Sequence, residues 1–176
     1  MSIITSTKKW NELLPESSVQ ELLQSIDSSL RGNQRTVSVK RLSPGPVLLY
    51  GPSKENKIAA AALIGEHLKQ EVYRIDLSAI GSKYIGETEK NLEKVFSQAA
   101  DKNWILFFDE ADALFGKRAA VKDSHDRYAN IEISYLLQRI EQYSNLVLLA
   151  TNNKEQVPAA ILKYFRIMMH FPKKEK

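Results

Sequence analysis

The stretch Trp104-Ile105-Leu106-Phe107-Phe108-Asp109-Glu110-Ala111-Asp112 constrains the fold more than any other part of the chain, because five consecutive large apolar residues end abruptly in three carboxylates. A run without polar alternation suits a strand buried on both faces of a parallel sheet, and the carboxyl end of such a strand is where open α/β sheets hold ligands. Asp109 and Glu110 are therefore candidates for a ligand crevice. An isolated Asp-Glu pair also serves simply to end a strand or open the next helix, since acids are favoured near a helix N-terminus. A second signal is needed.

Pro46-Val47-Leu48-Leu49-Tyr50-Gly51-Pro52-Ser53-Lys54-Glu55-Asn56-Lys57-Ile58 supplies it. A buried strand breaks at a glycine, a tight turn follows, and a lysine opens a helix whose free amides face an anion, which is the layout of a phosphate-binding loop. Only the skeleton is present. Against the pattern G-x-x-x-x-G-K-[ST], Gly51 and Lys57 match, while Asn56 replaces the second glycine and Ile58 replaces the hydroxyl residue.

The remainder alternates helical and strand patterns, so the expected fold class is α/β, a doubly wound sandwich around a five-stranded parallel sheet. Residues 1–43 read as a helical extension with one helix from about Ser17 to Leu30, residues 44–172 as the core domain, and residues 173–176 as a basic, solvated tail. In the core, a helix is expected from Ile58 to Lys69, a strand over Val72–Leu77, a helix over Gly86–Ala100 and a helix over Tyr128–Tyr143 with Ile131, Tyr135, Leu136 and Ile140 inward. A strand over Asn145–Ala150, a helix over Ala159–Tyr164 and a fifth strand over Ile167–Phe171 complete it. With 176 residues, 43% hydrophobic, the chain is long enough for one sizeable core. No apolar stretch approaches the ~20 residues of a membrane span, and no secretory h-region opens the chain. A net charge of +4, with lysines and arginines scattered among acids, does not point to nucleic acid. The absence of cysteine excludes disulfides and thiolate metal sites and fits a cytoplasmic protein.

Three motifs in order, Gly81 to Leu92, Ile105 to Arg118 and Leu149 to Asn152, resemble the large subdomain of AAA ATPases, over about Pro46 to Pro172. The stretches Lys122 to Glu132 and Tyr135 to Glu141 look especially like the bacterial AAA proteins associated with contractile injection systems. The resemblance implies ATP or ADP and magnesium as cofactors. It implies that Gly51, Pro52, Ser53, Lys54, Glu55, Asn56, Lys57 and Ile58 surround the phosphates, with Lys57 reaching the β- and γ-phosphates. Asp109 would hold magnesium through water, Glu110 would orient the attacking water, and Asn152 would be the polar sensor beside it. Lys83, Tyr84, Ile85 and Gly86 match the pore turn that grips a polypeptide client, with Tyr84 as the aromatic contact. A surface tyrosine at a strand-to-helix turn is the alternative for Tyr84.

The departures from the family fall on the nucleotide. Lys54, Glu55 and Asn56 stand where the family has glycine, threonine and glycine. If positive φ is needed at Lys54 the cost is roughly 1 to 2 kcal/mol, and a Glu55 carboxylate ~5 Å from a phosphate charge repels by roughly 3 kcal/mol at an effective dielectric of ~20. Lys163 and Tyr164 align with the family's arginine pair, with Arg166 nearby as a partial substitute acting on a neighbouring subunit, and the family's helical lid lies beyond Lys176. Two functions of different class follow: a catalytically impaired, weakly nucleotide-binding interaction module in a ring of itself or of an intact ATPase, or a working remodeller that borrows a lid or finger from a partner. A fragment of a longer protein is the third alternative. The charge of the loop predicts a self-plugged site in which Glu55 pairs with Lys57, so that Glu55→Thr raises nucleotide affinity more than Lys54→Gly.

Overall fold

A computed structural model describes residues 2–32, 45–80, 86–115 and 125–173. Its frame is a six-stranded sheet of β1 (Ser2–Ile4), β2 (Val47–Tyr50), β3 (Val72–Asp76), β4 (Ile105–Asp109), β5 (Val147–Thr151) and β6 (Ile167–His170), in the spatial order β1-β3-β4-β5-β2-β6. Strands β2 to β6 run parallel, and β1 adds an antiparallel edge against β3. The expected five parallel strands are thus joined by a sixth. Three residues, Ser2 and Ile3 of them exposed, carry too little alternation to be read as a strand from sequence.

Around the sheet lie α1 (Trp10–Leu13), α2 (Glu16–Gly32), α3 (Lys54–Leu68), α4 (Leu77–Ile80), α5 (Glu87–Ala100), α6 (Asp112–Phe115), α7 (His125–Gln142) and α8 (Ala159–Leu162). The apolar strands feed two clusters, one on each face, because successive side chains alternate sides. Ile105 and Phe107 of β4 join Val47, Leu49 and Leu148 beneath α1, α2 and α3, while Leu106 and Phe108 join Leu48, Val147 and Leu149 beneath α5 and α7. This double burial is why β4 shows no polar alternation. The segment ahead of the core covers one of these faces, with Leu22 and Ile26 fully buried against the alanine-rich side of α3.

Several boundaries differ from the sequence pattern. Helix α3 starts at Lys54, four residues before the expected Ile58, which bears directly on the site below. Ile131 is 51% exposed, whereas Ile133, Leu136, Leu137 and Ile140 face inward at spacings of three, four and seven, and Ile131 lies off that stripe. The helix expected through Tyr164 ends at Leu162. The short α1, α4 and α6 had no periodic signal of their own. The expected pore-turn residues Lys83, Tyr84 and Ile85, and Lys122 of the stretch compared with injection-system proteins, lie outside the described residues.

At the amino end of the sheet, Tyr143 closes α7 onto β4, its hydroxyl donating to Trp104 O at 2.5 Å. Burial pushes the Tyr143 phenol up to about 12. The unfolded chain releases this proton near ~10, so the folded state holds it more tightly and the associated stability is intact below that pH and lost as pH climbs from ~10 towards 12. Urea midpoints followed from pH 9 to 11.5 are expected to fall more steeply in the parent than in Tyr143→Phe, which should itself be less stable at pH 7 by about 1 kcal/mol.

Candidate functional site

The parallel register lines up the carboxyl ends of the strands, pairing Asp76 with Asp109, Tyr50 with Thr151 and Tyr50 with His170. Gly51, Lys54, Lys57, Asp109, Glu110 and Asn152 of the expected nucleotide crevice meet on or just beyond this row. Gly51 leaves β2 with φ +121°, and a Cβ there would lie 2.3 Å from Phe171 O, so glycine is required by the close approach of the chain leaving β6. Pro52 is exposed and Ser53 precedes α3 without a capping bond from its side chain.

The next residues form a helical turn. Lys54 N–H donates to Pro52 O at 3.1 Å and Lys57 N–H to Ser53 O at 3.2 Å, so Lys54, Glu55 and Asn56 are the first turn of α3 rather than an open cradle. Among the described residues positive φ occurs outside glycine only at Lys69, Asn103 and Glu110, so Lys54 does not carry the cost that positive φ would have imposed. Lysine, glutamate and asparagine extend the helix backwards where glycines would have kept a loop.

Lys57 is 1% exposed, and its ammonium donates to Gly51 O at 2.6 Å, Thr151 O at 2.8 Å and Asn152 Oδ1 at 2.8 Å. A lysine has three protons to give, and all three are given to the protein. Burial holds its pKa below the ordinary lysine value, with Asp112, Asp109 and Glu110 opposing that shift. The expected Glu55–Lys57 pair is not made. Glu55 points outward, 3.5 Å from Lys8, and its side chain is 87% exposed.

The carboxylates are also engaged. Asp109 Oδ2 accepts from Arg74 Nε at 3.0 Å and Nη2 at 2.6 Å, and Oδ1 accepts from Glu110 N–H at 3.0 Å. Glu110 Oε1 lies 2.6 Å from Lys54 Nζ, a contact that raises the Lys54 pKa. Asn152 Nδ2 approaches Glu110 Oε2 at 3.5 Å, bringing the expected sensor beside the expected water-orienting acid. Glu110 holds φ +56°, a left-handed conformation costing about 1 kcal/mol outside glycine. Asp112 accepts from the Thr151 hydroxyl and from Asn152 N–H at 2.8 Å, so it fixes the turn that carries Asn152.

Arg74 was not singled out from the sequence, and Asp112 was noted only as the third carboxylate ending the apolar run. The signal for Arg74 was a charge interrupting an apolar strand, two residues before Asp76, whose register partner is Asp109. Gly86 caps α5 with φ +81° and open space around it. Lys163 and Arg166 are exposed before the first residue of β6, at the end of the sheet opposite the crevice, so within one molecule they do not reach it. Ile58 packs into the apolar cluster under α1 and α2.

Magnesium and a nucleotide would have to displace protein partners in this arrangement of side chains. Both Asp109 oxygens already accept from protein donors, Ile58 offers no oxygen, and the Lys57 protons are given to the protein. Among the described residues no cluster of three or more acidic or histidine side chains has metal-binding geometry.

A mostly parallel α/β sheet with a glycine-to-lysine turn at one strand end and an acidic pair at another defines a domain of the P-loop NTPase class. The chain belongs to the ATPase family associated with various cellular activities (AAA), whose sequence pattern matches residues 47–173. It is 30% identical over 154 residues to 26S proteasome regulatory subunit 10B homolog A of Arabidopsis thaliana and 30% identical over 163 residues to Fidgetin-like protein 1 of Drosophila melanogaster. These alignments cover 85% and 89% of this chain but only 39% and 31% of those proteins. Its fold matches the crystal structure of the FIGL-1 AAA domain in complex with ADP, with a TM-score of 0.70 and 24% identity over 99% of this chain and 58% of that one. No helix among the described residues is long and apolar enough to cross a membrane.

A lysine that serves the fold leaves a signature on stability. Lys57→Met is expected to lower the free energy of unfolding by about 2 kcal/mol, because buried acceptors at the ends of β2 and β5 lose their donor. Urea titration at pH 7 checks this, and a change below about 0.5 kcal/mol would place Lys57 among residues that do not support the fold.

Proposed function

We propose that this domain is a catalytically impaired AAA module that binds nucleotide weakly and acts through protein contacts in a remodelling assembly. The observation carrying the proposal is the 2.6 Å pair between Lys54 and Glu110, in which a lysine of the loop neutralises the acid that would orient water. The working partners under this reading are a polypeptide client and AAA ring subunits, of its own kind or intact, in the cytoplasm. The injection-system-like stretch around Tyr135 to Glu141 supports a bacterial assembly of that type. Lys163 and Arg166, exposed at the far end of the sheet, are positioned to meet a neighbouring subunit.

An active remodeller is the second reading, favoured by Asp109, Glu110 and Asn152 meeting at one crevice. Hydrolysis assays separate the two. The proposed module is expected to show no magnesium-dependent phosphate release that Glu110→Gln removes, and turnover sensitive to that substitution would establish the active enzyme.

The structure reverses the order of two loop variants expected from charge alone. Lys54→Gly breaks the pair with Glu110 and weakens the helical first turn of α3, whereas Glu55→Thr removes a carboxylate that already faces solvent. In calorimetric titration with ADP, Lys54→Gly should tighten binding by about fivefold and Glu55→Thr by less than twofold, in line with about 1 kcal/mol of helix propensity lost at the start of α3. For the client, Tyr84→Ala should abolish capture of an unfolded polypeptide with little change in melting temperature, as for an exposed substitution within ~0.5 kcal/mol.

A further inference from the structure

The segment ahead of α1 reaches the start of α3 from outside the crevice. Lys8 Nζ donates to Asn56 Oδ1 at 3.0 Å and lies 3.5 Å from Glu55 Oε2, two of the residues that replace the family's open loop. Both ends of the segment are anchored. Ser2–Ile4 pairs with β3, and Leu13 and Leu14 are buried in the cluster that α3 also joins. Between these anchors Ser6 Oγ accepts from Lys8 N–H at 3.0 Å, fixing the backbone from which the lysine crosses to α3.

Helix electrostatics do not account for a cation in this place. A helix N-terminus carries partial positive charge and disfavours a neighbouring lysine. The residue before α3, Ser53, makes no capping bond with its side chain, so the first turn lacks the usual local support. Its support comes from the side, through Lys8 on an Asn56 that is only 5% exposed.

We propose that residues 2–14 form a strap that holds the start of α3 in its closed, helical form through Lys8, and that releasing Lys8 unwinds Lys54–Asn56 and admits a nucleoside diphosphate. The strap rests on the reading above in which the loop is closed in the resting chain. It deepens that reading by naming the element that keeps it closed. Lys8 acts through Asn56 and Glu55 and is a positioning residue.

The test compares the full chain with Lys8→Met, which keeps the apolar stem and removes the charge, and with Lys8→Arg, which keeps the charge. Amide hydrogen exchange without nucleotide should be about fivefold faster at Lys57 in Lys8→Met, the change expected for one lost hydrogen bond of about 1 kcal/mol. Exchange at Ile64, further along α3, should be unchanged, ADP should bind about fivefold more tightly by calorimetry, and Lys8→Arg should match the parent. Unchanged exchange at Lys57, equal acceleration at Ile64, or faster exchange with no gain in ADP affinity would each overturn the strap. If the parent itself binds ADP at low micromolar concentration, the closed-loop reading fails instead, and that result is distinct from the exchange comparison made without nucleotide.

Discussion

The carboxyl edge of the sheet depends on the buried ammonium of Lys57. An unpaired ammonium taken out of water costs several kcal/mol, so its burial is tolerable only with every proton satisfied. The three acceptors come from the end of β2 and the end of β5, adjacent strands whose chains diverge immediately afterwards. The lysine therefore joins two turns that are otherwise tied by the Gly51 N–H to Thr151 O bond at 3.2 Å. Around it the remaining geometry follows: Gly51 must pass Phe171 without a side chain, Asp112 secures the amide of Asn152, and Asn152 presents its oxygen to the lysine and its nitrogen towards Glu110.

The same edge is balanced in charge. Lys54, Lys57 and Arg74 face Asp109, Glu110 and Asp112, and each acid has a protein donor within hydrogen-bonding distance. A polyphosphate brought to this edge would have to displace internal partners rather than water. The helical start of α3 adds to the barrier, because Lys54 and Asn56 place side chains where a glycine-rich turn leaves room for the close approach of a phosphate. Replacing glycines by Lys54 and Asn56 favours this state on propensity alone, by up to about 1 kcal/mol for each glycine avoided in a helix.

Much of the fold was legible because it rests on long apolar runs. Phe107 and Phe108 announced a doubly buried strand, and the helix expected over Gly86–Ala100 is α5, with Leu92, Val95, Phe96 and Ala99 buried along one face. The site was legible in position but not in pairing. Sequence placed Lys57, Asp109, Glu110 and Asn152 at one crevice, yet gave Lys57 to Glu55, because residues two apart in sequence look like neighbours. Once that stretch is helical, positions two apart project to different sides, and Glu55 turns away. The partners that matter, Arg74 for Asp109 and Lys54 for Glu110, are separated by 35 and 56 residues and depend on strand order, which a single sequence does not supply.

The presence of Asp109 beside an altered loop then has a physical account that does not require hydrolysis. Asp109 is 2% exposed and takes two guanidinium bonds, so removing it would leave Arg74 with a partly buried, unpaired charge, a loss that runs to several kcal/mol for buried pairs. Glu110 is different. It is only partly buried and sits in a left-handed conformation that a glycine would hold without strain. Its salt bridge to Lys54 is half exposed and contributes less than about 1 kcal/mol, which barely offsets the backbone cost. Fold stability therefore explains the retention of Asp109 well and that of Glu110 poorly. Of the two acids, Glu110 is the one whose presence still reports on the crevice itself.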